Sequence, residues 1–319
     1  MKRIRLLALM VLMFASFGAS AADTIKLIVP TAPGGGTDGF FRYLAKEADH
    51  YLGATLVVVN VAGAGGTIGV TQMVRSTPND PTLAGVWLSP ITVSPHTMNV
   101  SYTLDDYIPV VQLTSAPYVL CVAPDFPASD GPSFIEQLKK SPDKYTFGTD
   151  GVGGPGQLAT ERVFRALGIS QRDIPFKGAG ETVLAFLGGQ IDIYVGSIPP
   201  VLPYTKGKEA KAKCLLLTSA KRVSSLPSAS GLGDIGVPEQ ETLLWRAVIA
   251  PKYTSPERVA ELADAFEKAA NSPEVRKFVE SAGEEILIKK GDELKNSIRN
   301  EYEALGKVAR SLNLQPPAK

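Results

Sequence analysis

From Ile25 onward, short apolar runs alternate with longer stretches whose apolar residues recur at spacings of three and four. The first kind fits a buried strand and the second an amphipathic helix. "TIKLIVP" predicts a strand, "TDGFFRYLAKEADHYLG" a helix ending at Gly53, "TLVVVNV" a strand, "AGAGGTIGVTQMVRST" a glycine-opened helix and "TLAGVWLS" a third strand. "YIPVVQLTSAPYVLCVAP" is one long extended stretch, punctuated afterwards by Pro124, Pro127 and Pro132. The same rhythm then restarts. "SFIEQLKKSPD" predicts a helix, "YTFGTDGVGG" a strand running into glycines, "GQLATERVFRALGI" a helix, "GETVLAFLGGQ" another, and "IDIYVGS" and "KCLLLTSA" strands. After "TLLWRAVIAP" the pattern becomes helical, with Ser255 and Ser272 as caps, each followed by proline at the first helical position.

Strands alternating with helices predict an α/β protein in which each unit is a mostly parallel sheet flanked by helices. Two such units, with extended crossings near 116–123 and 243–250, predict two lobes joined by two crossover strands. Residues 22–119 with 246–319 form lobe 1, and 120–245 form lobe 2. Open α/β sheets bind ligands at the carboxyl ends of their strands, so the cleft between the lobes is the expected site. Closure about two such strands is hinge motion.

The first 21 residues fall outside this pattern. Lys2, Arg3 and Arg5 precede an apolar run from Leu6 to Phe17, and Ala19, Ser20 and Ala21 follow at signal-peptidase spacing. The run is shorter than the roughly 20 apolar residues a membrane span needs, so residues 1–21 read as a cleaved signal peptide and the protein as periplasmic. Removing those three basic residues from 33 leaves 30 against 32 acidic ones, a net charge of −2. With no basic cluster, nucleic acid is not an expected partner. Cys121 and Cys214 could pair in an oxidising compartment. Both lie in apolar runs, however, which favours free, buried thiols. His50 and His96, remote from any cysteine, exclude a zinc site of His/Cys type. No metal or cofactor is expected.

Three glycine-rich turns follow strands: Pro33-Gly34-Gly35-Gly36-Thr37-Asp38, Gly63-Ala64-Gly65-Gly66-Thr67, and Thr149-Asp150-Gly151-Val152-Gly153-Gly154-Pro155-Gly156. Each leaves backbone N–H groups free where a helix begins and its dipole favours negative charge. Glycine lets a ligand reach that backbone, although tight βα turns need glycine anyway. Gly151-x-Gly153-x-x-Gly156 matches a dinucleotide fingerprint, with Asp173 near the ribose-binding spacing. The stiff Pro155, the mid-chain position and the export signal argue against that reading. No GxxxxGK[ST] loop occurs. Asp38 reads as a helix cap, and Thr31 and Thr37 place hydroxyls in the same turn. Ser89 and Ser197 follow predicted strands and are candidate ligand hydroxyls or ordinary turn residues. Asp192, within a strand, reads as a buried structural aspartate or one that orients a cleft loop. No GxSxG elbow or serine–histidine pairing is visible, so binding has apparatus and catalysis does not.

These segments resemble the periplasmic substrate-binding proteins of tripartite tricarboxylate transporters, the Bug-type receptors. The resemblance runs from Ile25 to Leu314 and includes "IKLIVPTAPGGGTD", "VVVNVAGAGGTIG", "PDFPASDGPSFIEQLKKSPDKYTFGTDGVGGPGQLA", "IPFKGAGETVLAFLGGQIDIYVGS" and "WRAVIAPKYTSPERV". It implies a two-lobed type II periplasmic binding protein, a Venus flytrap. Such a protein would be a monomer that captures a small organic acid and delivers it to membrane permease subunits. It also implies a carboxylate held largely by backbone N–H groups, hydroxyls and water, without an arginine clamp. Carried over, that names Thr31, Gly34, Gly35, Gly36, Thr37 and Asp38 from one lobe, and Thr149, Gly151, Gly153, Gly154 and Gln157 from the other. The chain departs from the pattern at Thr31, where an aromatic is usual. It departs again at Gly154 and Gln157, where Ser and His are usual, and at Val61-Ala62, where Arg-Pro is usual. Two other readings stay open: an exported enzyme on a small carboxylate, with Asp38 or Asp150 as general acid/base, and a sensor subunit signalling to a membrane kinase.

Overall fold

The computed structural model describes residues 23–207 and 209–316. The predicted leader lies outside the described residues. Lobe 1 begins with β1 (Asp23–Val29), α1 (Gly36–Leu52), β2 (Ala54–Asn60), α2 (Thr67–Val74) and β3 (Thr82–Trp87). A π-type turn (Ser89–Val93) and the short α3 (Ser94–Thr97) lead to β4 (Tyr107–Pro117), which crosses over. Lobe 2 contains β5 (Val119–Val122), α4 (Gly131–Lys140), β6 (Thr146–Thr149), α5 (Pro155–Ala166), β7 (Arg172–Pro175), α6 (Ala179–Leu187), β8 (Ile193–Gly196), α7 (Ile198–Val201) and β9 (Lys213–Leu217). The chain returns through β10 (Leu243–Pro251) and finishes with α8 (Pro256–Ala270), α9 (Pro273–Ser281), β11 (Glu285–Lys290) and α10 (Gly291–Ser311).

Each sheet is mixed. The first has strand order β11-β4-β10-β3-β1-β2 and the second β7-β6-β8-β5-β9. In each, the strands followed by glycine loops or helices pair in parallel: β1 with β2 and β3, and β6 with β7 and β8. The crossover strands add antiparallel neighbours. The parallel halves therefore point their carboxyl ends the same way, toward the other lobe.

Both faces of each sheet are covered. In lobe 1, Phe40, Phe41, Leu44 and Phe266 pack on one face and Met73, Trp245, Leu294 and Leu305 on the other. In lobe 2 the corresponding layers hold Phe134, Phe147 and Phe164, and Val183, Phe186 and Tyr194. Helix α1 turns Phe40, Phe41, Leu44, Ala48 and Leu52 inward and stops at Gly53, which takes φ 61°. Ser255 and Ser272 cap α8 and α9 through the Arg258 and Val275 N–H groups, with proline at the next position as the pattern predicts.

His96 lies in α3 with its ring against Tyr302 and its Nε2 on the Tyr302 carbonyl. One sequence expectation is corrected here. Cys121 and Cys214 are not free thiols but a disulfide, on residues directly opposite in the β5–β9 antiparallel pair. The apolar runs around them come from both residues being buried, on β5 inside the sheet and β9 at its edge, which holds for a bonded pair as well as for thiols. The bond closes a loop of 93 residues. Constraining that loop removes unfolded-state freedom worth about 2–5 kcal/mol. Reduction, or paired Cys121→Ala and Cys214→Ala replacement, is expected to lower the unfolding free energy by about that much. A denaturant midpoint that does not move under reductant would refute this.

Candidate ligand site between the lobes

The loops after β1, β3, β6 and β8 face one another, and the lobes touch across the gap. A Cβ on Gly153 of lobe 2 would lie 2.9 Å from Thr97 of lobe 1, and one on Gly283 would lie 3.3 Å from Ile198. Tyr118, only 2% exposed, sits at the crossover between the lobes, in the fields of Asp150 and Arg246. Of the candidate residues, Thr31, Pro33, Gly34–Asp38 and Ser89 belong to lobe 1, and Thr149–Gly154, Gln157 and Ser197 to lobe 2.

Loop 1 is pinned from below. Asp38 does not cap α1; the cap position is Gly35, and Asp38 stands in the first helical turn. From there its carboxylate accepts from the Gly34 N–H at 2.9 Å, from Arg42 Nε at 3.0 Å and from Asn60 Nδ2 at 2.8 Å. Asn60 Nδ2 also donates to the Thr31 carbonyl. Burial pushes the Asp38 carboxyl up, but the hydrogen bonds from Arg42, Gly34 and Asn60 outweigh it and leave its pKa below the ordinary value. An ionised, fully engaged carboxylate of this kind holds a loop and does not shuttle protons. Gly34 is spent on it. The N–H groups of Gly35, Gly36 and Thr37 have no recorded acceptor among the described residues, and they open the 17-residue α1.

Behind those donors lies a residue that the sequence reading passed over. Arg246 of β10, 5% exposed, is ion-paired with Glu284, donates from Nε to Thr37 Oγ1 at 3.3 Å, and stacks over Phe40. A guanidinium in the apolar run "LLWRAVIAP" was the available signal, because a buried charge must be paired or used. The Thr31 hydroxyl is buried without a hydrogen-bond partner.

Loop 3 is organised differently: its own side chains and carbonyls take the N–H groups of Gly153, Gly154 and Gly156, while those of Gly151 and Val152 have no acceptor among the described residues. Gln157 Oε1 accepts from the Gly153 N–H at 2.6 Å, Asp150 Oδ1 accepts from Gly156 N–H at 3.2 Å, and Gly154 N–H donates to the Gly151 carbonyl. Gln157 Nε2 and Thr149 Oγ1 both donate to Asp173, at 2.6 and 2.8 Å. Gly153, Gln157 and the Thr149 hydroxyl are therefore committed inside the loop. Asp173 serves this chain and not a ribose, so the dinucleotide reading has no support in the geometry.

The remaining candidates divide. Ser89 is buried, with its Oγ 3.4 Å from that of Ser94. Glycine loop 2 packs on this pair, since a Cβ on Gly65 would meet Ser94 Oγ at 2.8 Å. Ser197 caps α7 without a side-chain hydrogen bond, and its carbonyl accepts from Tyr194. Asp192 is neither buried nor at the cleft. It enters β8 instead of leaving it, so it lies at the far end of the sheet, exposed, accepting from Thr146 N–H and Oγ1. Among the described residues no cluster of metal-ligating side chains occurs.

A family model described as the tripartite tricarboxylate transporter family receptor matches residues 40–314. The chain belongs to this family. It is similar to the Bordetella pertussis protein BugT, at 31% identity over 97% of this chain and 98% of the relative. A solved TctC solute-binding protein from Polaromonas superposes with a TM-score of 0.80 at 26% identity, covering 92% of this chain and 99% of that one. MatC from Rhodopseudomonas palustris, solved with bound malate, gives 0.70 at 25% identity over 90% and 99% of the two chains. The chain is thus a two-lobed solute receptor by family and not an enzyme.

Asp173 supplies a test of the loop 3 chain. Burial pushes its carboxyl up to about 6 from 3.8, against the bonds from Thr149 and Gln157. The folded protein then holds this proton to higher pH than the unfolded chain does, so the group's contribution to stability falls as pH rises from about 4 to about 6. Relative to Asp173→Asn, which cannot titrate there, the wild type is expected to lose stability across that window. Denaturant melts at several pH values check it, and a wild type that gains on the variant instead would contradict it.

Proposed function

We propose that the chain is a periplasmic receptor that closes on a small organic acid between its lobes and delivers it to the permease subunits of a tripartite tricarboxylate-type transporter. It acts as a monomer, with residues 22–119 and 246–319 moving against 120–245 about the crossovers. The observation that carries this reading is the run of uncommitted N–H groups at Gly35, Gly36 and Thr37. They stand at the start of a long helix, in a cleft, with the Arg246 guanidinium behind them. A carboxylate placed there gains charge-assisted hydrogen bonds and the helix field together. The malate held by MatC is a ligand of this chemistry in a relative. The leader of residues 1–21 supports export, and the described residues contain no helix long and apolar enough to cross a membrane.

Gly36→Pro tests the donor role with little disturbance of the helix. Position 36 is the first helical residue, where proline fits, and Gly35 before it is already extended at φ −78°, ψ 166°. The substitution deletes one N–H and leaves the helix. In calorimetric titration with a series of small carboxylates, the wild type is expected to bind at least one member. The variant should bind that member roughly tenfold or more weakly, the worth of one hydrogen bond to a charged group. Equal affinity in both proteins would remove loop 1 from the site.

A further inference from the structure

The two walls of the cleft carry opposite electrostatic character, and this bears on which organic acid fits. On lobe 1 the open α1 N-terminus favours an anion. On lobe 2 the corresponding helix, α5, starts at Gly154-Pro155, and its N-terminus already has an anion from within the protein. Asp150 Oδ1 accepts from Gly156 N–H at 3.2 Å and lies 3.1 Å from where a Gly154 Cβ would be. The adjoining Gly153 N–H is used by Gln157. A second ligand carboxylate brought to loop 3 would therefore meet the like charge of Asp150 at the helix start, with Asp173 behind it.

No cationic side chain pairs with Asp150 or Asp173 among the described residues. Of the basic groups on this lobe, Arg165 is bonded to Glu161, while Arg172, beside Asp173, and Lys177, next to the Phe176 carbonyl that would lie 3.8 Å from a Cβ on Gly151, are exposed. Arg162, also on α5, is turned toward the crossover, donating to the Glu239 and Glu241 carbonyls and to Thr242 Oγ1. On the lobe 1 side, Arg246 is neutralised by Glu284 and Arg42 by Asp38. A Cβ on Gly156 would lie 2.8 Å from Asp150 Oδ1 and 3.8 Å from the Tyr118 ring, which sets Asp150 beside the crossover, and one on Gly36 would lie 3.7 Å from Arg246 Nη2.

We propose that Asp150 is the specificity-determining residue of the cleft: the ligand is a carboxylate that also carries a cationic amine, with its carboxylate on the Gly35–Thr37 N–H groups and its amine toward Asp150. This rests on the reading of the cleft as a carboxylate site and adds the charge class of the ligand. Burial without a cation raises the Asp150 pKa. A ligand ammonium would supply the missing partner, and a dicarboxylate would aggravate the deficit.

The test is calorimetric titration of the full mature chain at neutral pH with two probe series matched in length: ω-amino carboxylates from glycine to 6-aminohexanoate, and dicarboxylates from oxalate to adipate. Wild type and Asp150→Asn are compared. Asparagine keeps an oxygen for the Gly156 N–H, so that hydrogen bond survives while the charge goes. Asp150→Ser, which also removes the charge, is the second variant, and melting temperatures verify that both fold. The expected result is that an amino carboxylate binds wild type roughly tenfold or more tightly than its matched dicarboxylate, the worth of one charge-assisted contact, and that Asp150→Asn abolishes the preference. Dicarboxylates binding wild type as well as or better than the amino acids would overturn the proposal and leave the carboxylate receptor standing. A preference that survives Asp150→Asn would overturn it too. If neither series binds the wild type at all, the carboxylate reading falls along with it.

Discussion

The two-lobed architecture depends on how the crossovers are tied, and Thr218 ties them. Its backbone exchanges hydrogen bonds with Tyr118 and Thr242: Thr218 N–H donates to the Tyr118 carbonyl and Thr242 N–H to the Thr218 carbonyl. Its hydroxyl accepts from Tyr118 N–H at 2.9 Å and donates to the Thr242 carbonyl at 2.6 Å. One fully buried side chain thereby satisfies backbone groups of both connections at the place where the sheets exchange. Sliding of one lobe along the other would orphan several buried polar groups at once, each costing about 1–3 kcal/mol. Rotation about the stitch costs far less. Arg162, which reaches from α5 to the Glu239 and Glu241 carbonyls, and Glu301, which accepts from Trp245 and Thr92, extend the same seam. The glycine loops meet because this seam fixes which strand ends confront each other.

Against that frame the two walls differ in how they satisfy their own backbone. Lobe 1 spends Asp38 on Gly34 and then stops, leaving the next donors open. Lobe 2 spends Gln157, Asp150 and the Gly151 carbonyl and leaves the N–H groups of Gly151 and Val152. Both loops are glycine-rich after a strand and before a helix, so composition alone makes them equivalent. Their side chains make them unlike. A carboxylate on the third helical residue that reaches back to Gly34 keeps a donor row clear, whereas one placed before the helix takes part of the row.

This also marks what was legible beforehand. The alternation of apolar runs and amphipathic helices, the Ser-Pro starts of α8 and α9, and the glycine-terminated strands are local properties, written in spacings of two to four residues. The two walls were expected from the family resemblance. Long-range pairings were not legible. Cys121 and Cys214 are 93 positions apart and reveal their register only once β5 and β9 lie side by side. Arg246 and Glu284 meet only because β10 lies next to β4 and β4 next to β11. Asp192 was misplaced for a related reason. A residue beside a strand can stand at either end of the sheet, and only strand direction tells which. The helix-start aspartates were visible as residue types, but cap and loop-pin differ by where one oxygen lands.

The departures from the family pattern now connect with one another. Where Ser and His are usual, Gly154 and Gln157 stand, and Gln157 uses its amide as a bridge, one end on the Gly153 N–H and the other on Asp173. An amide can do this because it accepts at one atom and donates at another, and here both are consumed inside the loop. With the usual side-chain donors gone and the Gly153, Gly154 and Gly156 N–H groups turned inward, loop 3 offers a ligand the Asp150 carboxylate, which no cation pairs among the described residues, beside the N–H groups of Gly151 and Val152. Thr31, standing where an aromatic is usual, adds a buried hydroxyl without a partner on the opposite wall. An aromatic there would flank a ligand through its face. A threonine asks for a hydrogen bond instead. The changes on the two walls thus act in one direction, from a site that receives anionic oxygens at both ends toward one that receives them at a single end and accepts a donor at the other.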